Sequence, residues 1–325
     1  MTHFHKPVLI TGGAGFIGTY LARRLRAENI EVRSLDIRDP RTPVSGVNYL
    51  NGDVRNPQDL MQAATGVQAI YHLAAVVSVV ECQEKPTESY STNFMGTIQV
   101  LEAARAEGKA AGKIPRIIFA SSAALYGHNG KENIPIKETD VSETPLSYYA
   151  HQKLSSEQAI RLYHEHAGVP AVVFRFFNVF GIGQDPHSPY SGVISIFSRL
   201  AKENAPLKLN GGGTQTRDFV SVKDIAEACF LALPSNSANS ANSANSASTE
   251  LTRGEAINLG TGTLISIRKL AEWIVKLSDG KSEIITGPAR EGDVLHSLAD
   301  HSRAKALLNW KPQVSLEAGL AELLS

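Results

Sequence analysis

The sequence predicts an α/β protein built on a doubly wound parallel sheet, followed by a smaller C-terminal α/β lobe. Two observations carry that prediction. Short β-branched runs alternate with helix-length segments through the first half of the chain, and a glycine-rich turn separates the first run from the first helix. A third observation, the loss of this alternation after residue 178, marks where the lobe begins.

The elements follow in order. VLIT (8–11) is a run of strand length, and FIGTYLARRLRAEN (16–29) reads as a helix. EVRSLD (31–36) and VNYLNGD (47–53) read as the second and third strands, and PQDLMQAAT (57–65) is a helix leading to AIYHLAA (69–75). TNFMGTIQVLEAARAEG (92–108) is helical, RIIFASS (116–122) is a strand, YYAHQKLSSEQAIRLYHEHAG (148–168) is a long helix, and AVVFRFFN (171–178) is a strand. Apolar strands joined by helices give a parallel sheet covered on both faces. AINLGTG (256–262) adds one further strand.

Beyond residue 178 the pattern is irregular. GIGQDPHSPYSG (181–192) and NGGGTQTRDF (210–219) are Gly-, Pro- and Ser-rich loops, and loops on a rigid sheet are where binding groups concentrate. These breaks assign 1–178 plus 219–262 to the sheet domain and 179–218 plus 263–325 to the lobe. NSANSANSANSA (236–247) repeats a tripeptide with no apolar face, so 236–249 reads as a low-complexity surface insertion.

Composition excludes several function classes. Basic and acidic residues balance at 32 each, which leaves no electrostatic footprint for nucleic acid or an anionic membrane. Cys82 and Cys229 lie far apart and form no CxxC pair, so neither a disulfide framework nor a zinc knuckle is expected. No segment has the length of a membrane span, and the N-terminal apolar run is too short for a signal peptide. The expected location is the cytoplasm. His128, His151 and His164 form no ligand motif, and no metal is expected.

The chemistry begins at TGGAGFIG (11–18). Gly12, Gly15 and Gly18 are spaced by three between a strand and a helix, where glycine lets the backbone turn tightly and approach a pyrophosphate at the positive helix end. This is a Rossmann-type arrangement. Asp36 ends the second strand, where a carboxylate accepts hydrogen bonds from ribose hydroxyls and repels a 2′-phosphate. NAD is therefore the expected cofactor, although Arg38 stands two residues on.

The second centre is LSYYAHQK (146–153). Residues i and i+4 share a helical face, so Tyr149 and Lys153 point into one cleft while Tyr148 is turned away by about 100°. Free tyrosine has a pKa of about 10, too high for a base at neutral pH. A nearby ammonium and a charged nicotinamide ring are expected to stabilise its phenolate.

Taken together, TGGAGFIG, HLAA (72–75), SSAALYG (121–127), SYYAHQK and RFFNVFG (175–181) resemble the extended short-chain dehydrogenase/reductase family, in its NAD-dependent nucleotide-sugar epimerase/dehydratase branch. The resemblance covers essentially the whole chain apart from the NSA insertion. It implies a catalytic trio of Ser122, Tyr149 and Lys153. It implies cofactor contacts from Gly12, Gly15, Phe16 and Ile17, from Asp36, from Asp53 and Val54, and from Leu73, Ala74 and Ala75. Asn93 and Phe176 complete that set, with Tyr149 and Lys153. On the substrate side it implies Asn178, Val193, Leu207, Arg217, Arg290 and Asp293, with LKLN (207–210) cradling the base and the arginines on a diphosphate. The sheet domain is then the NAD-binding domain and the lobe binds the nucleotide sugar.

Departures from the family narrow the activity. Relatives that dehydrate a sugar carry Thr-Asp-Glu where this chain has Ser122-Ala123-Ala124, and decarboxylating relatives need a glutamate there. What remains is redox at C4 without elimination: an NAD-dependent 4-epimerase of UDP-hexoses acting through a transient 4-keto sugar. In the epimerases that this chain resembles, the position of Ser297, four residues beyond Asp293, gates the space beside C2 of the hexose. A small residue there implies acceptance of UDP-GlcNAc/UDP-GalNAc as well as UDP-Glc/UDP-Gal. The alternatives are a UDP-glucuronate 4-epimerase or other NDP-sugar dehydrogenase/reductase, and a non-catalytic nucleotide-sensing protein. The family resemblance implies a homodimer packed through the helices at 92–108 and 148–168.

Overall fold

The computed structural model describes residues 6–185, 192–233, 251–289 and 293–325. In chain order its first half comprises β1 (Val8–Thr11), α1 (Phe16–Ala27), β2 (Val32–Asp36), β3 (Val47–Asn51), α2 (Pro57–Ala64) and β4 (Ala69–His72). Then come α3 (Val79–Glu84), α4 (Pro86–Tyr90), α5 (Gly96–Ala111), β5 (Arg116–Ser122), α6 (Tyr148–Ala167) and β6 (Ala171–Phe176). The second half contains β7 (Asn178–Phe180), α7 (Val193–Lys202), β8 (Leu207–Asn210), β9 (Thr216–Arg217), β10 (Phe219–Ser221) and α8 (Val222–Leu231). It closes with β11 (Arg253–Leu259), β12 (Ile265–Ser266), α9 (Ile267–Leu277), β13 (Ile284–Gly287), β14 (His296–Ser297), α10 (Ser302–Leu308) and α11 (Leu316–Leu324).

Seven strands form one sheet in the order β3-β2-β1-β4-β5-β6-β11, and every pairing in it is parallel. Strands buried on both faces need apolar runs rather than alternation, which is why VLIT, AIYH and AVVFRF are buried throughout. One face is covered by α1 and α8, with Leu21, Leu25, Ile225 and Cys229 against Val8, Ile10 and Tyr71. The other face is covered by α2, α5 and α6 through Leu60, Leu101 and Ile160. The order reverses direction between β1 and β4, the point at which such sheets open a crevice at their C-terminal ends. Thr11, Asp36, His72, Ser122 and Phe176 all end strands on that edge.

Local chemistry fixes the helices that carry the site. Ser147 caps α6, its hydroxyl accepting from the Ala150 amide at 3.2 Å, and Gly168 ends it in the left-handed conformation. The predicted first helix ends two residues early because Asn29 adopts a positive φ of 59°. The predicted helix at 92–108 begins instead as a wide π-helical turn, Ser91–Met95, that leads into α5.

A second core lies beyond β6. Phe180, Ile194, Phe197, Leu207, Leu209, Leu270, Ile274 and Leu320 bury one another there. Around it β8 pairs with β13, β9 with β12 and β14, and β7 with β10. The sequence-derived division at 263 does not follow the packing throughout. Residues 302–310 fall in the predicted lobe, yet Ala304, Leu308 and Trp310 bury against the first core, and the Trp310 indole donates to the Asp224 carbonyl at 2.9 Å. The NSA repeat lies outside the described residues. Among the described residues no helix is long and apolar enough to cross a membrane.

Candidate active site

The glycine turn is built by close approach. Gly12 has φ +71°, and a Cβ there would stand 2.7 Å from the Ala74 amide nitrogen of the loop after β4. Gly18 lets α1 pack onto the turn itself, since its Cβ would meet the Gly12 carbonyl at 2.6 Å. Gly15 begins α1 with no side-chain cap, so the first helical N–H groups are offered outward as an anion site requires. Phe16 packs edge-on against Tyr20 at 5.9 Å, and Ile17 rests on the sheet core.

Asp36 sits beside this turn. Its carboxylate accepts from the Ala14 amide at 3.2 Å and from the Arg38 amide at 3.1 Å, and a carboxylate has acceptor capacity beyond these two bonds. The Arg38 side chain is exposed, with Nε 4.0 Å from Asp36. Leu73, Ala74 and Ala75 form the loop over Gly12, and Leu73 donates its amide to the Thr11 carbonyl at 3.0 Å. A turn too tight for any Cβ, uncapped helix amides and a strand-end carboxylate together fit a dinucleotide.

Other expected cofactor contacts are engaged elsewhere. The Asp53 carboxylate is held by Arg55, with Nε at 2.8 Å and the Arg55 amide at 2.8 Å, and its pKa is pushed down by that hydrogen bonding. Val54 is buried against Gly96 of α5. The Asn93 side chain is saturated: it accepts from the Val76 amide (2.7 Å) and donates to the Val76 carbonyl (2.9 Å) and to Gln152 (2.7 Å). Asn93 thus pins the loop after β4 to α6, and its amide has no donor left for a cofactor. Phe176 is buried at the end of β6, in register with Ser122.

The trio comes together where β5 ends against α6. Ser122 Oγ accepts from the Ala124 amide at 3.1 Å, which leaves its proton free to donate to the Tyr149 oxygen, with which it is hydrogen-bonded. Lys153 is buried, donates from Nζ to the Ala120 carbonyl at 2.7 Å, and stands 5.9 Å from the Tyr149 ring centre. Tyr148 is 41% exposed and packs on Tyr90, with ring centres 6.2 Å apart. The two tyrosines therefore lie on different faces of α6, Tyr149 toward Lys153 and Tyr148 toward solvent.

The expected stabilisation of the Tyr149 phenolate does not come from the chain's own groups. Burial pushes the Tyr149 phenol up to about 12, and Ser122 offsets only part of this. Burial also brings Lys153 down to about 8. The chain's own groups therefore keep Tyr149 a phenol at neutral pH, because a half-buried ring loses more to desolvation than a neighbour at this distance returns. His72, one strand over, is a neutral imidazole for the same reason, with its pKa lowered to about 3 by burial and then by Lys153.

The residues expected on the substrate side divide. Arg217 and Asp293 form an ion pair at 2.8 Å, and Gln215 donates to the other Asp293 oxygen at 3.2 Å. Ser297 pairs in register with Arg217 and is buried. Asn178 donates from Nδ2 to the Asp218 carbonyl at 3.0 Å, so these four residues gather around β9. Val193 opens α7 and packs on the second core. Leu207 departs from expectation: its side chain is fully buried in that core and its strand pairs with β13, because alternating Leu207 and Leu209 face inward. It does not present a side chain to a base. Arg290 lies outside the described residues.

Asp218 was missed. It is fully buried and accepts from the Thr261 amide and hydroxyl (2.8 and 2.6 Å), the Gly262 amide (2.8 Å) and the Ala299 amide (3.1 Å), tying β9 to the end of β11. In the sequence it is a carboxylate beside an arginine, which reads as surface charge.

The NAD dependent epimerase/dehydratase family model matches residues 8–260. The chain is 31% identical to the UDP-glucose 4-epimerase of Mycolicibacterium smegmatis, over 97% of this chain and 96% of that relative. Two solved structures are similar over 98% of this chain and 97% of theirs. One is the UDP-glucose 4-epimerase of Thermotoga maritima with UDP-glucose (27% identity, TM-score 0.86). The other is the UDP-N-acetylglucosamine 4-epimerase of Methanobrevibacter ruminantium M1 in complex with UDP-N-acetylmuramic acid (30% identity, TM-score 0.84). The family match runs through the same strands that bring the glycine turn, Asp36 and the trio to one sheet edge, and the chain belongs to the NAD-dependent epimerase/dehydratase family, as an NAD-dependent enzyme of the epimerase type.

Proposed function

We propose that this enzyme interconverts UDP-hexoses at C4, accepting UDP-GlcNAc/UDP-GalNAc as well as UDP-Glc/UDP-Gal. The observation that carries the reading is the Ser122–Tyr149–Lys153 cluster at the end of β5, followed by two alanines. A proton can be moved at a sugar oxygen there, while Ala123 and Ala124 supply no acid or base for eliminating water or carbon dioxide. The named activities of the relatives support the same reaction class.

Gly12, Gly15, Phe16, Ile17, Asp36, the loop 73–75 and Lys153 would hold NAD, which supplies redox at C4 and a positive charge beside Tyr149 when bound. Tyr149 exchanges the proton of the 4-oxygen, and the Ser122 hydroxyl turns its one proton from the Tyr149 oxygen to that oxygen. Lys153, with one of its three protons on Ala120, has two left for a ribose hydroxyl. Asn178 and Arg217 anchor the diphosphate and Asp293 the uridine ribose, Arg290 being a further candidate for the diphosphate. Ser297, small and adjacent to Arg217, leaves room for an N-acetyl group.

Purified enzyme incubated separately with UDP-Glc, UDP-GlcNAc and UDP-GlcA, followed by NMR at the anomeric and H4 signals, tests this. Conversion of the first two to their C4 epimers is expected. Turnover of UDP-GlcA alone, or stoichiometric appearance of NADH, would replace the reading with a glucuronate epimerase or a net dehydrogenase. We also propose a homodimer through α5 and α6, supported by exposed Met95 in the turn that leads into α5 and exposed Leu162 on α6. A monomeric mass by light scattering would reject it.

A further inference from the structure

Behind the tyrosine–lysine face of α6 lies a charged cluster to which the reaction assigns no role. Tyr149, Lys153 and Glu157 recur every four residues on one side of the helix. Opposite them run three consecutive residues at the end of β5. Ser122 bonds Tyr149, the Ala120 carbonyl accepts from Lys153 at 2.7 Å, and Ser121 Oγ donates to Glu157 at 2.5 Å. Glu157 is fully buried and paired with Arg175 of β6, through Nε at 2.9 Å and Nη2 at 2.6 Å. Arg175, itself 1% exposed, donates from Nη1 to the Glu138 carbonyl at 2.7 Å and to the Tyr126 hydroxyl at 3.0 Å. The Tyr126 proton goes to Asn258 at 2.5 Å, and Asn258 Nδ2 donates to the Ile136 carbonyl at 2.9 Å.

Both Glu157 oxygens and all three Arg175 nitrogens are therefore bonded. A buried ion pair of this kind contributes little net stability compared with apolar side chains of the same volume. Stability alone does not account for it, whereas its placement does. Glu157 grips the residue next to Ser122 and stands one helical turn behind Lys153.

We propose that Glu157, held in place by Arg175, is a positioning residue for the tyrosine–lysine site, fixing the register of α6 against the end of β5 and presenting a negative charge behind Lys153. The proposal rests on the acid–base role given above to Tyr149 and Lys153. The titratable groups acting around Lys153 are the Cys82 thiol from α3, the His72 imidazole from β4, and Tyr149 and Glu157 on α6. The thiol and phenol are raised and the imidazole lowered, so all three are neutral at pH 7, and Glu157 is the charged neighbour. Glu157 in turn faces Arg175 and, at 3.8 Å, Arg161.

The test uses Glu157→Gln, which keeps the shape and removes the charge, and Ser121→Ala, which removes one oxygen. The Lys153 ammonium is titrated by NMR in protein labelled with [ε-15N]lysine, its signal assigned with Lys153→Met. In Glu157→Gln the midpoint is expected to fall below the wild-type value, and the alkaline limb of kcat to move down with it. Its kcat is expected to fall roughly tenfold or more, as for other small misplacements of reacting groups, with KM little changed. Ser121→Ala should lower kcat without moving the Lys153 midpoint. A folded Glu157→Gln with the wild-type midpoint and wild-type kcat overturns the proposal. If that variant does not fold, a wild-type kcat in Ser121→Ala overturns the register argument instead. Wild-type enzyme inert toward every UDP-hexose would defeat the 4-epimerase reading, and the Lys153 midpoint in Glu157→Gln would still decide this one.

Discussion

Replacing Lys153 with methionine is expected to stabilise the fold while removing the activity. The side chain is 3% exposed, with one hydrogen bond to the Ala120 carbonyl and the Phe119 ring 4.8 Å away. Burial lowers the amine from 10.5 to about 8. At about 1.4 kcal/mol per pH unit, that fall means the folded state is about 3 kcal/mol less favourable at pH 7 for carrying this charge. Losing the hydrogen bond returns about 1 kcal/mol, leaving a net gain of about 2 kcal/mol for the variant.

The sign of the pH dependence discriminates this from simple repacking. The folded chain releases the proton near pH 8, whereas the unfolded chain keeps it to about 10.5. Between those values the unfolded state binds more protons, so wild-type stability rises with pH. The advantage of Lys153→Met is therefore present in full below pH 8 and fades as pH approaches the unfolded value. Urea denaturation of both proteins at pH 7 and near pH 10.5 measures it. An advantage independent of pH, or a variant less stable than wild type at pH 7, would refute the reasoning. Loss of the group that orders the proton-transfer site should lower kcat by ~10²-fold or more.

Three further outcomes follow from the geometry. Tyr149→Phe should lose ~10²–10⁴-fold in kcat, as expected for an acid–base group, while exposed Tyr148→Phe stays near wild type; equal losses would sink the assignment. Gly12→Ala forces a Cβ to within 2.7 Å of the Ala74 amide at a φ of +71°, so NAD binding measured by calorimetry should be abolished, and unchanged affinity would contradict the turn's role. His72 stays neutral in the folded state down to about pH 3 but charges near 6.5 when unfolded, so acidification through that window costs about 1.4 kcal/mol per pH unit. His72→Gln should flatten the acid limb of a stability profile, and an identical slope would exclude His72 as its source.

Much of this was legible from residue order, for local reasons. Glycine spacing at a strand–helix junction, apolar runs of strand length and an i, i+4 pair are properties of short segments. They located the glycine turn, the parallel sheet, and the difference between Tyr148 and Tyr149. Long-range packing was not legible. That Asn93 would be saturated by Val76 and Gln152, that Leu207 would face a core, and that residues 302–310 would join the sheet domain depend on partners distant in sequence.

The sequence by itself determined the fold class and the cofactor edge and put Ser122, Tyr149 and Lys153 forward as the proposed trio, because each is written in residue types at fixed local spacing. Only the tertiary structure decided their electrostatics. Burial leaves Tyr149 protonated and Lys153 weakened, and it hides a Glu157–Arg175 pair that in the sequence is two ordinary charges 18 residues apart. Desolvation depends on what surrounds a group from every direction, and no window of sequence contains that information.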